Sequence, residues 1–199
     1  MPFIFKRLAL FLSIAAAFAA DKDAGAFRPP AATAYIHHQT NEKVTIGAEP
    51  YAYGDKVKLA FGKLVPYNYG VLPVLVTIQN DSDQTLRLDR IQAEYVGPRH
   101  DRVPATPARD VRYAGPVRRP NLVDGGPRGA VVGRSKKNPL DAWEIEGRAL
   151  AVELLPPGQS ASGFLYFRTD IDKGATIYLS GLSEARSGRE LFYFEMPLE

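Results

Sequence analysis

No cysteine occurs in the 199 residues, and the chain holds only one tryptophan, two methionines and three histidines. Without thiols there are no disulfide staples, no cysteine nucleophile, no thiolate metal site and no thioether lipid anchor. Stability must come from a packed interior, and the length suffices to build one. Histidine is almost as limiting. His37 and His38 are neighbours, which face opposite sides if they lie on a strand, and His100 is remote, so a metal centre would need carboxylates brought in from elsewhere. No metal and no cofactor are expected. A large charge excess is missing too, since 25 basic and 22 acidic residues leave a formal +3. A global charge this small gives no reason to expect nucleic acid as a partner.

Long apolar runs are absent except at the start. There Lys6 and Arg7 precede an apolar stretch over 8–20 interrupted only by Ser13, the outline of a signal peptide. Ala17 and Ala19 meet the small-residue rule for cleavage after Ala19, whereas cutting one residue later would put bulky Phe18 three positions upstream of the cut. The run is shorter than the roughly 20 apolar residues that span a bilayer, so no permanent membrane anchor is expected and the mature chain should be periplasmic or secreted. Loss of Lys6 and Arg7 lowers the net charge by two, from +3 to +1. Residues 20–34, with Pro29 and Pro30 and few large apolar side chains, read as a flexible lead-in.

From residue 35 onward the pattern is that of strands, and no long segment repeats at the helical period. Residues 71–80 carry the strongest signal. Val74, Val76 and Ile78 alternate with Leu75, Thr77 and Gln79. The polar cluster 80–83 then predicts a turn, and residues 86–95 a returning strand. Its apolar phase slips between Leu88 and Ile91, as a β-bulge at Asp89 or Arg90 would produce. Residues 44–53 suit an edge strand because Gly47 and Pro50 interrupt them. Residues 55–64 fit a strand or one short helix equally well. Residues 97–141, rich in proline, glycine and charge, read as a long basic insertion. Beyond it, 143–155 reads as a strand with Leu150, Val152 and Leu154 in phase, 162–169 as a strand buried on both faces, and 175–198 as a closing hairpin. The expected architecture is a mostly β, antiparallel sandwich forming a single domain over 35–199.

Two stretches, VLPVLVTIQNDSD at 71–83 and LLPPGQSASGFLYF at 154–167, resemble exported bacterial proteins of unknown function that carry an immunoglobulin-like β-sandwich. The resemblance covers the chain from about residue 44 to its end, apart from the insertion. It implies a strand ending in Asn before a hairpin, and a proline-glycine turn feeding a core strand; it implies no residue-level activity. The Cys…Trp…Cys spacing of antibody domains is absent, and the lone Trp143 follows the insertion.

No catalytic residue is assigned. GQSASG at 158–163 has Ser162 where a nucleophile elbow needs glycine, and GAVVGRS at 129–135 is one residue short of a phosphate-binding loop and lacks its lysine. The carboxylate pairs Glu144/Glu146 and Asp170/Asp172 are two apart, as paired acid and base on one strand face would be, but solvated edges carry such pairs routinely. The asparagine of the Asn80-Asp81-Ser82 triplet is read as a turn residue. Most unusual is the insertion itself. Arg109, Arg112, Arg118, Arg119, Arg128, Arg134, Lys136 and Lys137 face only Asp110 and Asp124 over 109–137, eight cations against two anions, or +6. Arg112, Arg118, Arg119, Arg128, Arg134, Lys136 and Lys137 are therefore the candidate contacts to an anionic group or partner. The leading expectation is a non-catalytic binding or structural module of the cell envelope or exterior, its partner an envelope protein or an anionic envelope polymer. The alternative is a hydrolase acting on cell wall or polysaccharide through a carboxylate pair, which requires two such groups about 5 to 9 Å apart in a cleft. Strand addition along residues 190–198 is a third route to an interaction.

Overall fold

The computed structural model describes residues 27–113 and 138–198. The expected signal peptide, the early part of the lead-in and the middle of the basic insertion lie outside the described residues. Among them are eleven strands, two short α-helices and three 3-10 turns. The strands are β1 (His38–Asn41), β2 (Val44–Pro50), β3 (Leu72–Asn80), β4 (Leu86–Arg87), β5 (Gln92–Val96), β6 (Arg102–Pro104), β7 (Leu154–Leu155), β8 (Ser160–Phe167), β9 (Thr176–Ser180), β10 (Ser183–Glu184) and β11 (Phe194–Pro197). The helices are α1 (Asp55–Phe61) and α2 (Trp143–Gly147), and the 3-10 turns span Ala32–Ala34, Pro66–Tyr69 and Ala108–Tyr113. None of the described helices is long and apolar enough to cross a membrane.

All strand pairs are antiparallel. One sheet runs β1-β2-β3-β8, a second β11-β9-β5-β6, and a small ribbon β10-β4-β7 lies between them in the chain's path. The alternation read from residues 71–80 explains how the sheets meet. Val74, Val76 and Ile78 of β3 join Ile46 of β2 in a core with Tyr95 of β5, Ile177 and Leu179 of β9, and Phe194 of β11. The opposite face of the first sheet is covered as well. Leu75 of β3 with Phe164 and Tyr166 of β8 packs against Val57, Ala60 and Phe61 of α1, Val111 of the third 3-10 turn, Leu140, and Ile145 of α2. The molecule thus has a helical layer over a sheet over a sheet. Strand β8 is buried on both faces because its neighbours lie in two different cores, as its density of aromatics indicates.

Several expectations are corrected. The segment at 44–53 is not an edge: β2 lies between β1 and β3, its Pro50 sits at the last paired position, and the chain turns into α1 after it, which settles the ambiguity at 55–64 as a helix. Strand β3 does not form a hairpin with residues 86–95. The chain leaves the first sheet at Asn80, enters the ribbon as β4 and then the second sheet as β5, so the phase slip at Asp89 and Arg90 marks a change of sheet and not a bulge. The region from 97 is not all loop: β6 pairs with β5, Thr106 bridges Tyr166 on β8, and Val111 and Leu140 are fully buried. Residues 143–155 are not one strand. They hold α2 and the two-residue β7, with Val152 and Leu154 exposed. The closing pair is present as β9 with β11, though the chain makes the excursion β10 between them.

Strand β11 is the edge suited to strand addition, and its free side is occupied from within the chain. Glu195 N donates to Gln39 Oε1 (2.7 Å), Phe192 N to Glu42 Oε1 (3.4 Å) and Asn41 Nδ2 to Tyr193 O (3.0 Å). Arg189 joins Glu42 (2.5 Å) across the same seam and is held locally by Glu184 of β10 (2.6 Å). The β1–β2 turn therefore seals the edge that an incoming strand would use.

The helical layer carries a pH-dependent stability. Burial pushes the Tyr35 hydroxyl, which shares a 2.7 Å hydrogen bond with Thr77 Oγ1, up to about 12, and it raises Tyr51 and Tyr166 in the same direction. A folded value above the unfolded one means that the fold favours the neutral phenol. This contribution is complete below the ordinary tyrosine value of 10 and is lost as pH climbs from 10 through 12, where the unfolded chain has already released its proton. Denaturant midpoints measured from pH 8 to 12 should be flat at first and then fall. Tyr35→Phe should cost about 1 kcal/mol at pH 8 through the lost hydrogen bond and make the alkaline fall shallower.

Candidate functional site: an arginine beside two aromatic rings

Gly163 on β8 lets a second segment come unusually close. A Cβ built there would stand 2.4 Å from Leu150 N and 2.5 Å from Leu150 Cα. The segment runs parallel to β8 at that point, with Phe164 N donating to Arg148 O (2.8 Å) and Leu150 N to Phe164 O (3.1 Å). Two backbone hydrogen bonds thus fix the main chain on either side of Ala149, and they set the origin of the Arg148 side chain at the rim of the helical layer.

The side chain lies among aromatic rings. Its guanidinium carbon is 4.8 Å from the centre of the Phe27 ring and 5.7 Å from that of Trp143. Phe27 is itself held, stacked on Phe164 at 5.6 Å and edge-on to Tyr51 at 6.1 Å. Trp143, the first residue of α2, folds back over Gly147, where a Cβ would meet the indole ring at 2.9 Å; the ring is nevertheless 68% exposed. Beneath the cluster the Tyr166 hydroxyl donates to Ile145 O (2.7 Å), tying α2 to β8.

Arg148 is half-buried, and among the described residues no carboxylate pairs with it. Its Nε is sealed from solvent and lacks a hydrogen-bond acceptor among them. An unsatisfied buried donor costs about 1–3 kcal/mol, more when charged, and contacts between a cation and aromatic faces return about 0.5–2 kcal/mol. The cation is thus within reach of two π-systems. What stays available are the donors on its two Nη atoms.

The cations expected from the sequence are distributed differently. Arg112 is not free for a partner: it pairs with Asp141 (3.1 Å) and Glu146, its Nε donates to Arg109 O (2.9 Å), and its carbonyl accepts from Asn138 Nδ2. It is a clasp that joins the two ends of the insertion to α2. Arg109 is largely exposed and 4.0 Å from Asp110. Arg118, Arg119, Arg128, Arg134, Lys136 and Lys137 lie outside the described residues. The carboxylate pairs do not share strand faces. Glu144 and Glu146 are on a helix, where residues two apart diverge, and Glu146 serves Arg112; Asp170 and Asp172 lie in the turn after β8, where Asp172 N donates to the Tyr95 hydroxyl (2.8 Å). Among the described residues no group of three or more His, Asp or Glu side chains is arranged to hold a metal ion. A cleft of about 270 Å³ opens near the ribbon, lined by Leu88, Ile91, Leu150, Val152 and Leu165 together with the carboxylates of Asp89 and Glu153, of which Asp89 is paired with Arg87 (3.2 Å).

Neither family models nor curated proteins match the chain. Solved structures do align with it. Northeast Structural Genomics Consortium target SoR45 aligns over 80% of this chain and 90% of its own, with 10% identity and a TM-score of 0.35. A functionally unknown protein from Listeria monocytogenes EGD-e aligns over 81% of this chain and 80% of its own, with 14% identity and a TM-score of 0.36.

Proposed function

We propose that the chain is a non-catalytic binding module of the bacterial cell envelope or exterior, with an immunoglobulin-like arrangement of its two large sheets, and that it recognises an anionic group at the Arg148–Trp143–Phe27 cluster. One observation carries this reading: a guanidinium with no acid partner among the described residues, 4.8 and 5.7 Å from the centres of two aromatic rings, on a main chain fixed by hydrogen bonds to β8. A cation kept solely for packing would be satisfied by a carboxylate, as Arg112 and Arg189 are. Arginine that retains its in-plane donors is suited to a bidentate oxyanion. The apolar leader and its alanine pair support export, and an anionic envelope polymer is the partner that this chemistry fits.

The test is sedimentation of the full chain with purified, membrane-free wall material. Native protein should pellet with the wall, and Arg148→Gln should pellet about tenfold less, the size of effect when a charge-assisted pair is lost. Arg168→Gln, an exposed arginine outside the cluster whose side chain reaches Tyr113 O, should pellet like the native chain. Equal pelleting of all three proteins would remove the cluster from the reading, and no pelleting of any would remove the binding module.

A further inference from the structure

The binding reading leaves the nature of the anion open, and the surroundings of Arg148 narrow it. The guanidinium against the Phe27 and Trp143 rings is that of Arg148, and Lys56, over the neighbouring Tyr51 ring, is already paired with Glu49 at 2.6 Å. The helix that carries Trp143 is acidic. Its first turn carries Glu144 and Glu146, with Asp141 just ahead of it; Asp141 and Glu146 are held by Arg112. A dianion such as phosphate is disfavoured beside this acidic helix. A carboxylate brings one charge and two oxygens, the number that the edge of a guanidinium accepts. The exposed indole next to the cation adds a flat apolar surface, which suits a ligand whose acid group is carried on a ring.

We infer that Arg148 and Trp143 together bind a carboxylate borne on a six-membered ring, as in the uronate residues of an acidic polysaccharide, the guanidinium pairing with the carboxylate while the indole packs against the ring. The inference rests on the binding-module reading and specifies its ligand. The basis for it is the combination of one unpaired guanidinium, an adjoining exposed indole and an acidic helix.

Trp143 is the sole tryptophan, so its emission reports on this site alone. The full chain is titrated with a uronate oligosaccharide, with the same oligosaccharide methyl-esterified at its carboxyls, with inorganic phosphate and with an acidic peptide. The expected result is a saturable emission change with the uronate, at least tenfold weaker binding of the ester, and no saturable change with phosphate or peptide. Arg148→Gln should lose the response and Arg148→Lys, which keeps the charge without the fork, should keep part of it. Circular dichroism of both variants must retain the native strand signal. If Arg148→Gln unfolds, the ester comparison on the native chain decides. Equal affinity for acid and ester, or a phosphate or peptide response matching that of the uronate, overturns the ring-carboxylate inference. A flat uronate titration overturns it too: with Arg148-dependent wall sedimentation intact the binding module survives, and without it both readings fail.

Discussion

Gly163→Ala should lower the stability of the domain by about 3 kcal/mol, the upper range for overpacking a tight contact. The added methyl would lie 2.4 Å from Leu150 N, 2.5 Å from Leu150 Cα and 2.7 Å from Ala149 C, and all three atoms are main chain. No side chain can rotate away to make room. Either residues 148–150 lift from β8, losing the hydrogen bonds between Phe164 and its neighbours Arg148 and Leu150, or β8 shifts within its ladder with β3. A second glycine separates this cause from conformational freedom. Gly158 has φ +70° with nothing near its absent Cβ, so Gly158→Ala should cost about 1 kcal/mol through backbone strain alone. Urea midpoints of the two variants should therefore differ clearly, and equal midpoints would mean that the 149–150 crossing has slack. Because the crossing fixes the main chain at Arg148, Gly163→Ala should also change the emission of Trp143, while Gly158→Ala should not.

Asn80→Asp should be comparably damaging. Asn80 is fully buried at the end of β3, and its amide nitrogen donates to two carbonyls, those of Gln84 and Leu155, each at 2.9 Å. Its side-chain oxygen accepts from Ser82 N (3.1 Å) and Ser82 Oγ (2.6 Å). One amide thus ties β3 to the turn before β4 and to β7. A carboxylate in its place would direct negative oxygen at two carbonyls and bury a charge, at a cost of about 3 kcal/mol near neutral pH. Protonation restores one donor, so the folded state would hold this carboxyl above its ordinary value, and the lost stability should return in part as pH falls below about 5. Denaturation curves at pH 7 and pH 4 check the sign. A variant equally stable at both would show that the amide is replaceable. The same geometry bears on the Asn80-Asp81-Ser82 triplet, since a nitrogen already donating inward to two carbonyls is not presented for modification.

How much of the fold is legible in the sequence depends on the range of each signal. Strands β3 and β8 are legible because alternation over eight or nine residues has one physical reading when both faces are buried. The path after Asn80 is not. A slip in apolar phase looks the same whether the chain bulges within a sheet or crosses to another, and only the partners of β4 and β5 distinguish the two. Helix α2 escapes for a similar reason: in WEIEGRALAVELL the apolar residues alternate, yet Ile145 and Leu155 are buried from a helix and a two-residue strand respectively, while Val152 and Leu154 are exposed. The site is the least legible part. Arg148 belongs to no run or motif, Trp143 stands out only as the lone tryptophan, and Phe27 arrives from more than a hundred residues upstream. The dense arginines of the insertion attract attention by composition, and composition does not show that Arg112 is matched by Asp141 and Glu146, whose proximity depends on the fold.

The seam where Gln39, Asn41 and Glu42 grip residues 192–195 bears on the order of assembly. Groups some 150 positions apart must find one another before the interior is shut, and loop closure over that span precedes any gain from the contacts. Folding should therefore finish late, after the final residues are available. A chain released from its C-terminal end by about ten residues would keep its first sheet but leave Ile177 and Leu179 without Phe194 and Met196 against them.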